Sequence, residues 1–219
     1  MNTIDFAQQR QAMVDAQIRR RGLDTPAVLA AMQAVPREAF VPEYLQANAY
    51  DDGPLPLLLG QTISQPYIVA LMMQALALQP GHTVLEIGTG SGYAAAVLAQ
   101  VARRVYSVER HVPLAETAKD KLAKLGITNV EVHPADGTLG WPEHAPYDAI
   151  VVSAGGPQVP EALKAQLCIG GHLVMPVGPD RHYQDLIRVT RESGTRYTSE
   201  HLTGVCFVPL IGEQGWTAA

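Results

Sequence analysis

The chain has 219 residues, 47% of them hydrophobic and 17% charged, with a formal net charge of −5. That length suits one compact domain, which buries roughly 70% of the surface its unfolded form would expose, and the composition is too apolar for a disordered chain. No apolar run approaches the ~20 residues of a membrane span, and the acidic balance argues against a nucleic-acid binder that works by neutralising phosphates.

In chain order, the first third reads as helical. The N-terminal stretch MNTIDFAQQRQAMVDAQIRR has polar residues scattered through it and no apolar core, so no secretory signal and a cytoplasmic location are expected. Met13, Val14, Gln17 and Ile18 begin an amphipathic stripe. Arg19, Arg20 and Arg21 fall where that helix should end, just before Gly22, and cations there complement the helix dipole. Asp24 as N-cap and Pro26 in the first turn open a second helix, which places Val28, Leu29, Met32 and Val35 at helical spacing and stops before Pro36. From Val41 to Gly60 the sequence is rich in proline and glycine and has no clear period. So long an irregular segment in a compact domain is more often functional than idle. Ser64 followed by Pro66 predicts a third helix, with Ser64 in the capping position. It carries Ile68, Leu71, Met72, Ala75 and Leu76 on one face and is ended by Pro80-Gly81.

Strand-like and helix-like segments then alternate: strands over 83–87, 104–108, 129–133, 147–153 and 170–177, helices over 92–102, 113–125 and 158–167. That βαβ alternation means a parallel sheet covered by helices on both faces. The last two strands, 184–191 and 203–210, flank polar Glu192-Ser193-Gly194 and should pair as an antiparallel hairpin at one edge. The expected fold is a three-layer, Rossmann-like α/β domain spanning 1–219. Residues 1–80 form a helical and active-site-loop region, and 81–219 a cofactor-binding core. Cys168 and Cys206 both sit in apolar contexts and are expected to be reduced, buried thiols. The seven histidines show no metal-ligand spacing, so no metal is expected.

The most informative segment is Glu86-Ile87-Gly88-Thr89-Gly90-Ser91-Gly92, a glycine turn between an apolar strand and an alanine-rich helix. Glycines allow positive φ and let a ligand approach without a Cβ in the way. The spacing, acidic-x-Gly-x-Gly-x-Gly, differs from that of dinucleotide binders, which want the third glycine one position later. A second strand ends in Glu109, where ribose hydroxyls can donate to a carboxylate. A third ends in Asp136-Gly137, where the carboxylate can accept from an adenine amino group and the Gly137 amide can donate to a ring nitrogen. Three acidic positions at three successive strand ends, with no arginine placed for a phosphate, resemble class I methyltransferases that use S-adenosyl-L-methionine. Each has a structural alternative: Glu86 satisfied by backbone amides, Glu109 paired with Arg103 or Arg104, Asp136-Gly137 an ordinary turn.

The strand end Val152-Ser153 leads into Ala154-Gly155-Gly156-Pro157. It offers neither the amide-and-aromatic clamp of enzymes that methylate nucleobase amines nor the Pro-Cys nucleophile of cytosine C5 chemistry. Five segments, from Val35 to Pro42, Gly60 to Tyr67, Val84 to Tyr93, Tyr147 to Val152 and Phe207 to Leu210, resemble the protein-L-isoaspartate (D-aspartate) O-methyltransferases almost end to end. The resemblance implies methylation of the free α-carboxylate of isoaspartyl residues in damaged proteins and peptides, with S-adenosyl-L-homocysteine as the other product. It implies Ser64 as the active-site serine, Gln61, Thr62, Ile63 and Ser64 around the substrate carboxylate, and Glu86, Gly88, Thr89, Gly90, Ser91, Gly92, Glu109, Asp136 and Gly137 around the cofactor. No metal, nucleic acid or membrane enters that chemistry.

Those residue types suit the reaction. A carboxylate with pKa near ~4 is already ionised at neutral pH and needs no general base. The enzyme has to align oxygen, carbon and sulfur and exclude water, and a serine hydroxyl can donate one hydrogen bond to orient the carboxylate. The sequence departs from the family at Leu58-Leu59-Gly60, where the family's Gly-x-Gly has lost its first glycine to a leucine. Two other functions stay open: a fold that binds the cofactor without turnover, and a methyltransferase for a small carboxylic acid.

Overall fold

The computed structural model describes residues 4–217. Helix α1, Phe6–Met13, is capped by Asp5, whose carboxylate accepts from the Gln8 amide at 3.0 Å. It widens into a π-type turn over Val14–Ile18 and tightens over Arg19–Arg21. The helix stops at Gly22, which takes φ +88° and donates to the Arg19 carbonyl at 3.0 Å, a left-handed end that glycine adopts without a Cβ clash. Arg21 also leaves the helix laterally: its guanidinium pairs with Asp52 at 3.1 Å and lies 3.5 Å over the Tyr67 ring. Helix α2 spans Pro26–Ala34. Its cap is Thr25, not Asp24, and the Thr25 side chain makes no capping bond; its hydroxyl donates to Gln74 Oε1 at 2.9 Å, tying α2 to α3, Pro66–Ala75. Ser64 does not cap α3 either. Gln65 holds that position with no side-chain cap, and Pro66 stands at the first helical residue, where its fixed φ suits a helix start.

The main sheet has seven strands in the order β5-β4-β3-β6-β7-β8-β9. They are β3 Thr83–Ile87, β4 Arg104–Glu109, β5 Val130–Pro134, β6 Tyr147–Val152, β7 Leu167–Val177, β8 Gln184–Arg191 and β9 Tyr197–Val205. The first five in that order run parallel, and β8 and β9 complete an antiparallel edge. The central strands are apolar runs because both faces are covered. Val84, Ala149, Val151 and Val174 face a cluster shared with α4 (Tyr93–Leu98), α5 (Val112–Lys124) and the N-terminal helices through Met13, Ile18 and Met32. Leu85, Ile87, Ile150, Leu173 and Met175 face the opposite way, against Leu163 of α6, Glu161–Gln166.

Five elements differ from their sequence-based bounds. Helix α3 ends at Ala75, ahead of Ala77 at φ +50°, rather than at Pro80-Gly81, and β7 begins at Leu167 rather than 170. Helix α4 ends at Leu98 rather than 102, its tail unwinding into turns that feed β4. Helix α6 begins after Pro160, so the expected start at 158 is lost. The last strand is Tyr197–Val205 rather than 203–210, because Gln184 Oε1 takes the Phe207 amide at 2.8 Å and draws the chain out of the sheet. That departure leaves Cys206 exposed at the end of an edge strand, and Cys168 is half-buried; both thiols are free. Neither is the buried thiol its apolar neighbours led one to expect. Among the described residues no helix is long and apolar enough to cross a membrane.

Candidate active site

A cavity of about 740 Å³, counted out to its open mouth, lies over the carboxyl ends of β3, β4 and β6. Ligands bind at such strand ends in open α/β sheets, where the strand order reverses. Its floor is the glycine turn. Gly88 (φ +90°) donates to the Val108 carbonyl at 2.8 Å and Gly90 takes φ +53°, so the turn passes the cavity showing backbone rather than side chains. Glu109 is 4% exposed and faces the cavity. Its Oε2 accepts from the Gly90 amide and its Oε1 from the His111 amide, both at 2.9 Å. Each oxygen keeps a second lone pair for a ligand hydroxyl. Arg104 bonds Glu131 instead, and Arg103 bonds Thr83 and the Gly81 carbonyl, so neither occupies Glu109.

The cover is a ribbon of two-residue strands, β1 Leu55–Pro56 and β2 Thr62–Ile63, paired antiparallel. Gln61, Thr62, Ile63 and Ser64 come off its second leg into the cavity wall. The half-buried Ser64 hydroxyl makes no hydrogen bond to another described residue. It also lines an apolar annex formed by Val69, Met72, Met73, Ala94, Leu98 and Val151, with Ser153 as the other polar side chain. The third wall is the segment 208–211, strapped down by paired bonds of 2.8 Å between Gly155 and Val208 and Leu210, and by the Trp216 indole on the Gly155 carbonyl at 3.0 Å.

Ten sequence-chosen positions therefore meet at one cavity: Gln61, Thr62, Ile63, Ser64, Gly88, Thr89, Gly90, Ser91, Glu109 and Gly137. Three do not line it. Glu86 is wholly buried beneath the turn, where the Ser107 hydroxyl donates to its Oε2 at 2.5 Å and in turn shares a 2.5 Å bond with Thr89. Burial pushes the Glu86 carboxyl up to about 8; the Ser107 bond opposes this and nearby Glu109 reinforces it. Gly92 (φ +89°) opens α4, where a Cβ would stand 3.2 Å from Ala118 Cβ, so it serves helix packing. Asp136 turns both oxygens to the protein: Oδ1 accepts from Thr138 and Oδ2 from the Glu213 amide at 2.8 Å. Arg110, Ser153 and the strap residues Leu210 and Ile211 line the cavity without having been singled out. Of these only the strap carried a signal, the resemblance over Phe207 to Leu210.

The cavity suits S-adenosyl-L-methionine by its chemistry: a strand-end carboxylate for a diol, an exposed glycine backbone, and an apolar annex beside the serine. A mostly parallel sheet with this turn and this carboxylate defines a class I methyltransferase. Within that class, the chain belongs to the protein-L-isoaspartate(D-aspartate) O-methyltransferase family, whose model matches residues 8–215. It is 60% identical over 204 residues to a protein-L-isoaspartate O-methyltransferase of Rhodopseudomonas palustris, covering 93% of this chain and 94% of that one. It is 59% identical to one of Pelobacter propionicus over 95% and 92% of the two chains. A solved protein-L-isoaspartate O-methyltransferase superposes with a TM-score of 0.85 at 31% identity, over 94% of this chain and 67% of that one. A Plasmodium falciparum structure described as a beta-aspartate methyltransferase in complex with S-adenosyl-L-homocysteine gives 0.80 at 25% identity, over 95% and 99%.

Proposed function

We propose that this chain methylates the free α-carboxylate of L-isoaspartyl residues in damaged proteins, initiating their repair, with Ser64 as the residue that orients the carboxylate. The observation that carries this reading is the meeting of Gln61–Ser64 and Glu109 at one open cavity. When bound, S-adenosyl-L-methionine supplies a methyl group on a positively charged sulfur. Glu109 accepts the ribose hydroxyls, with its carboxylate already oriented by the Gly90 and His111 amides. The Gly88–Gly90 backbone forms the floor, and the Gly137 amide serves the adenine edge. Asp136 acts there by holding the Glu213 amide just past the strap rather than by direct contact.

Among the described residues the cavity wall holds no histidine, and its one tyrosine, Tyr93, has its hydroxyl pushed upward chiefly by burial. No general base is needed, since the substrate carboxylate is ionised at neutral pH. The free Ser64 hydroxyl donates one hydrogen bond and holds the nucleophilic oxygen in line, while Val69, Met72 and Met73 keep water away. The neighbouring backbone amide nitrogen then displaces methanol from the methyl ester to close a succinimide, which water reopens in part to normal aspartate. Residues 1–80 supply the substrate cover and 81–219 the cofactor floor of one functional unit. The two free thiols suit the reducing cytoplasm.

The test is transfer of a tritiated methyl group to an isoaspartyl peptide and to its normal-aspartyl twin. Labelling should be confined to the isoaspartyl peptide. Equal labelling of both points to a less discriminating carboxyl methyltransferase, and labelling of neither to a cofactor-binding protein without turnover.

A further inference from the structure

The tip of the cover, Leu58–Gly60, presents its side chains outward. Leu58 is 66% and Leu59 54% exposed, two adjacent large apolar groups in water. Leu59 holds φ +59° and ψ +30°, the left-handed region that a leucine adopts only when its surroundings impose it. Here the surroundings are hydrogen bonds to Gln61. The Leu57 amide donates to the Gln61 carbonyl at 2.7 Å, the Gln61 amide to the Leu58 carbonyl at 3.2 Å, and Gln61 Nε2 to the Leu59 carbonyl at 3.2 Å. The residue that pins the tip is thus itself part of the cavity wall, three positions before Ser64. Two leucines held rigidly in solvent lose little conformational freedom when something covers them.

Resting on the isoaspartyl reading above, we infer that Leu58 and Leu59 form an apolar shelf for the side chain next to the isoaspartyl residue, and so set a preference for substrates with an apolar neighbour. Continuity with the site fixes the occupant. A substrate whose carboxylate sits at Ser64 is a polypeptide, its chain has to leave through the open mouth, and the tip is bonded to Gln61 of the cavity wall. Covering part of a leucine side chain favours an apolar neighbour over a polar one by about tenfold, expressed in KM rather than kcat because the contact is the same before and during methyl transfer.

The experiment compares two isoaspartyl peptides that differ only in the flanking residue, leucine or serine, on the wild type, on Leu58→Ser/Leu59→Asn, and on Ile169→Ser. Ile169 is 64% exposed on the first half of β7, at the opposite end of the sheet, so its variant controls for loss of surface apolarity. Asparagine is chosen at 59 because it tolerates positive φ. Calorimetric affinity for S-adenosyl-L-homocysteine confirms that the cofactor floor of each variant is formed. The wild type and Ile169→Ser should favour the leucine peptide about tenfold in kcat/KM, and the tip variant should bring the ratio near one through KM. A ratio unchanged in the tip variant, or absent in the wild type, overturns the shelf while leaving the isoaspartyl reading intact. Labelling of neither peptide by the wild type overturns both.

Discussion

The floor and the cover of the cavity are built on different physical terms. The floor belongs to the parallel sheet: the Gly88 and Ser153 amides continue the ladder onto Val108 and Ile87 at 2.8 Å, and both Glu109 oxygens are fixed by backbone donors. The cover is a ribbon of two residue pairs; the Ser64 hydroxyl that follows it has no partner among the described residues, and the ribbon's tip stores a left-handed leucine at a cost of about 1–2 kcal/mol. A cofactor is always the same molecule and gains from a frame that never moves. A damaged protein presents a different chain each time, and its site gains from few internal bonds and exposed contacts. The contrast teaches that disturbing the floor should show in stability and cofactor affinity, and disturbing the cover in turnover and substrate choice.

The largest effect expected from the floor comes from Glu86. In the folded chain burial keeps its carboxyl protonated up to about pH 8, against an ordinary value of 4.5. Between those limits the unfolded chain releases a proton that the folded chain keeps, so this group's contribution is fully present below the ordinary value and is lost as pH rises through the folded one. Glu86→Gln has the same shape and no such proton. Its stability relative to wild type should therefore rise by about 1.4 kcal/mol per pH unit, reaching about 4 kcal/mol between pH 5 and 8. Urea melts of both proteins across that range read the difference. Curves that stay parallel would mean that Glu86 is ionised beneath the turn.

On the cover, Ser64→Ala should cost roughly 10- to 1000-fold in kcat/KM, or about 1.4–4 kcal/mol of transition-state stabilisation. Affinity for S-adenosyl-L-methionine should stay near wild type, because Glu109 and the glycine turn are untouched. No new ionisation should enter the pH–rate profile near neutrality, since the serine replaces no base. With Gln65 in the capping position of α3, the melting temperature should hardly move. A variant that binds cofactor weakly and turns over normally would place Ser64 on the floor side of the comparison.

The floor was legible in the sequence because its parts are local. An apolar run, three glycines and an acid at the next strand end are enough to place Gly88, Gly90 and Glu109, whatever the rest of the chain does. Legibility fails where a side chain's partner is remote. Asp136 reads as a ligand-facing acid at a strand end, and nothing nearby reveals that the Glu213 amide, 77 residues on, takes its Oδ2. Glu86 reads the same way, yet alternation along β3 and a serine at the paired position 107 turn it beneath the turn. Ser153 carries no motif; it reaches the cavity because β6 lies beside β3. Ser64 had two compatible readings on sequence grounds, cap and active-site hydroxyl; the fold removes the first, because Gln65 holds the position before Pro66.

Glu109 makes the finest division between floor and cover. Its carboxylate bonds two backbone amides and still faces the cavity, so its loss has both a structural and a binding component. Glu109→Ala should weaken S-adenosyl-L-methionine by about 1–3 kcal/mol, the usual cost of removing a charged hydrogen-bond partner. Glu109→Gln separates the components. One amide oxygen still accepts from a backbone donor, while the NH₂ group faces the other donor and also loses an acceptor for a ribose hydroxyl. The Gln variant should therefore keep a melting temperature closer to wild type than the Ala variant does, yet lose a comparable share of affinity. Turnover at saturating cofactor should fall far less than in Ser64→Ala, because the glutamate holds the cofactor and not the substrate carboxylate. Titration calorimetry and single-turnover rates on both variants, folded and at saturating peptide, measure this. Wild-type affinity in a folded Glu109→Ala variant would remove the carboxylate from the binding surface and leave it as a brace for the glycine turn.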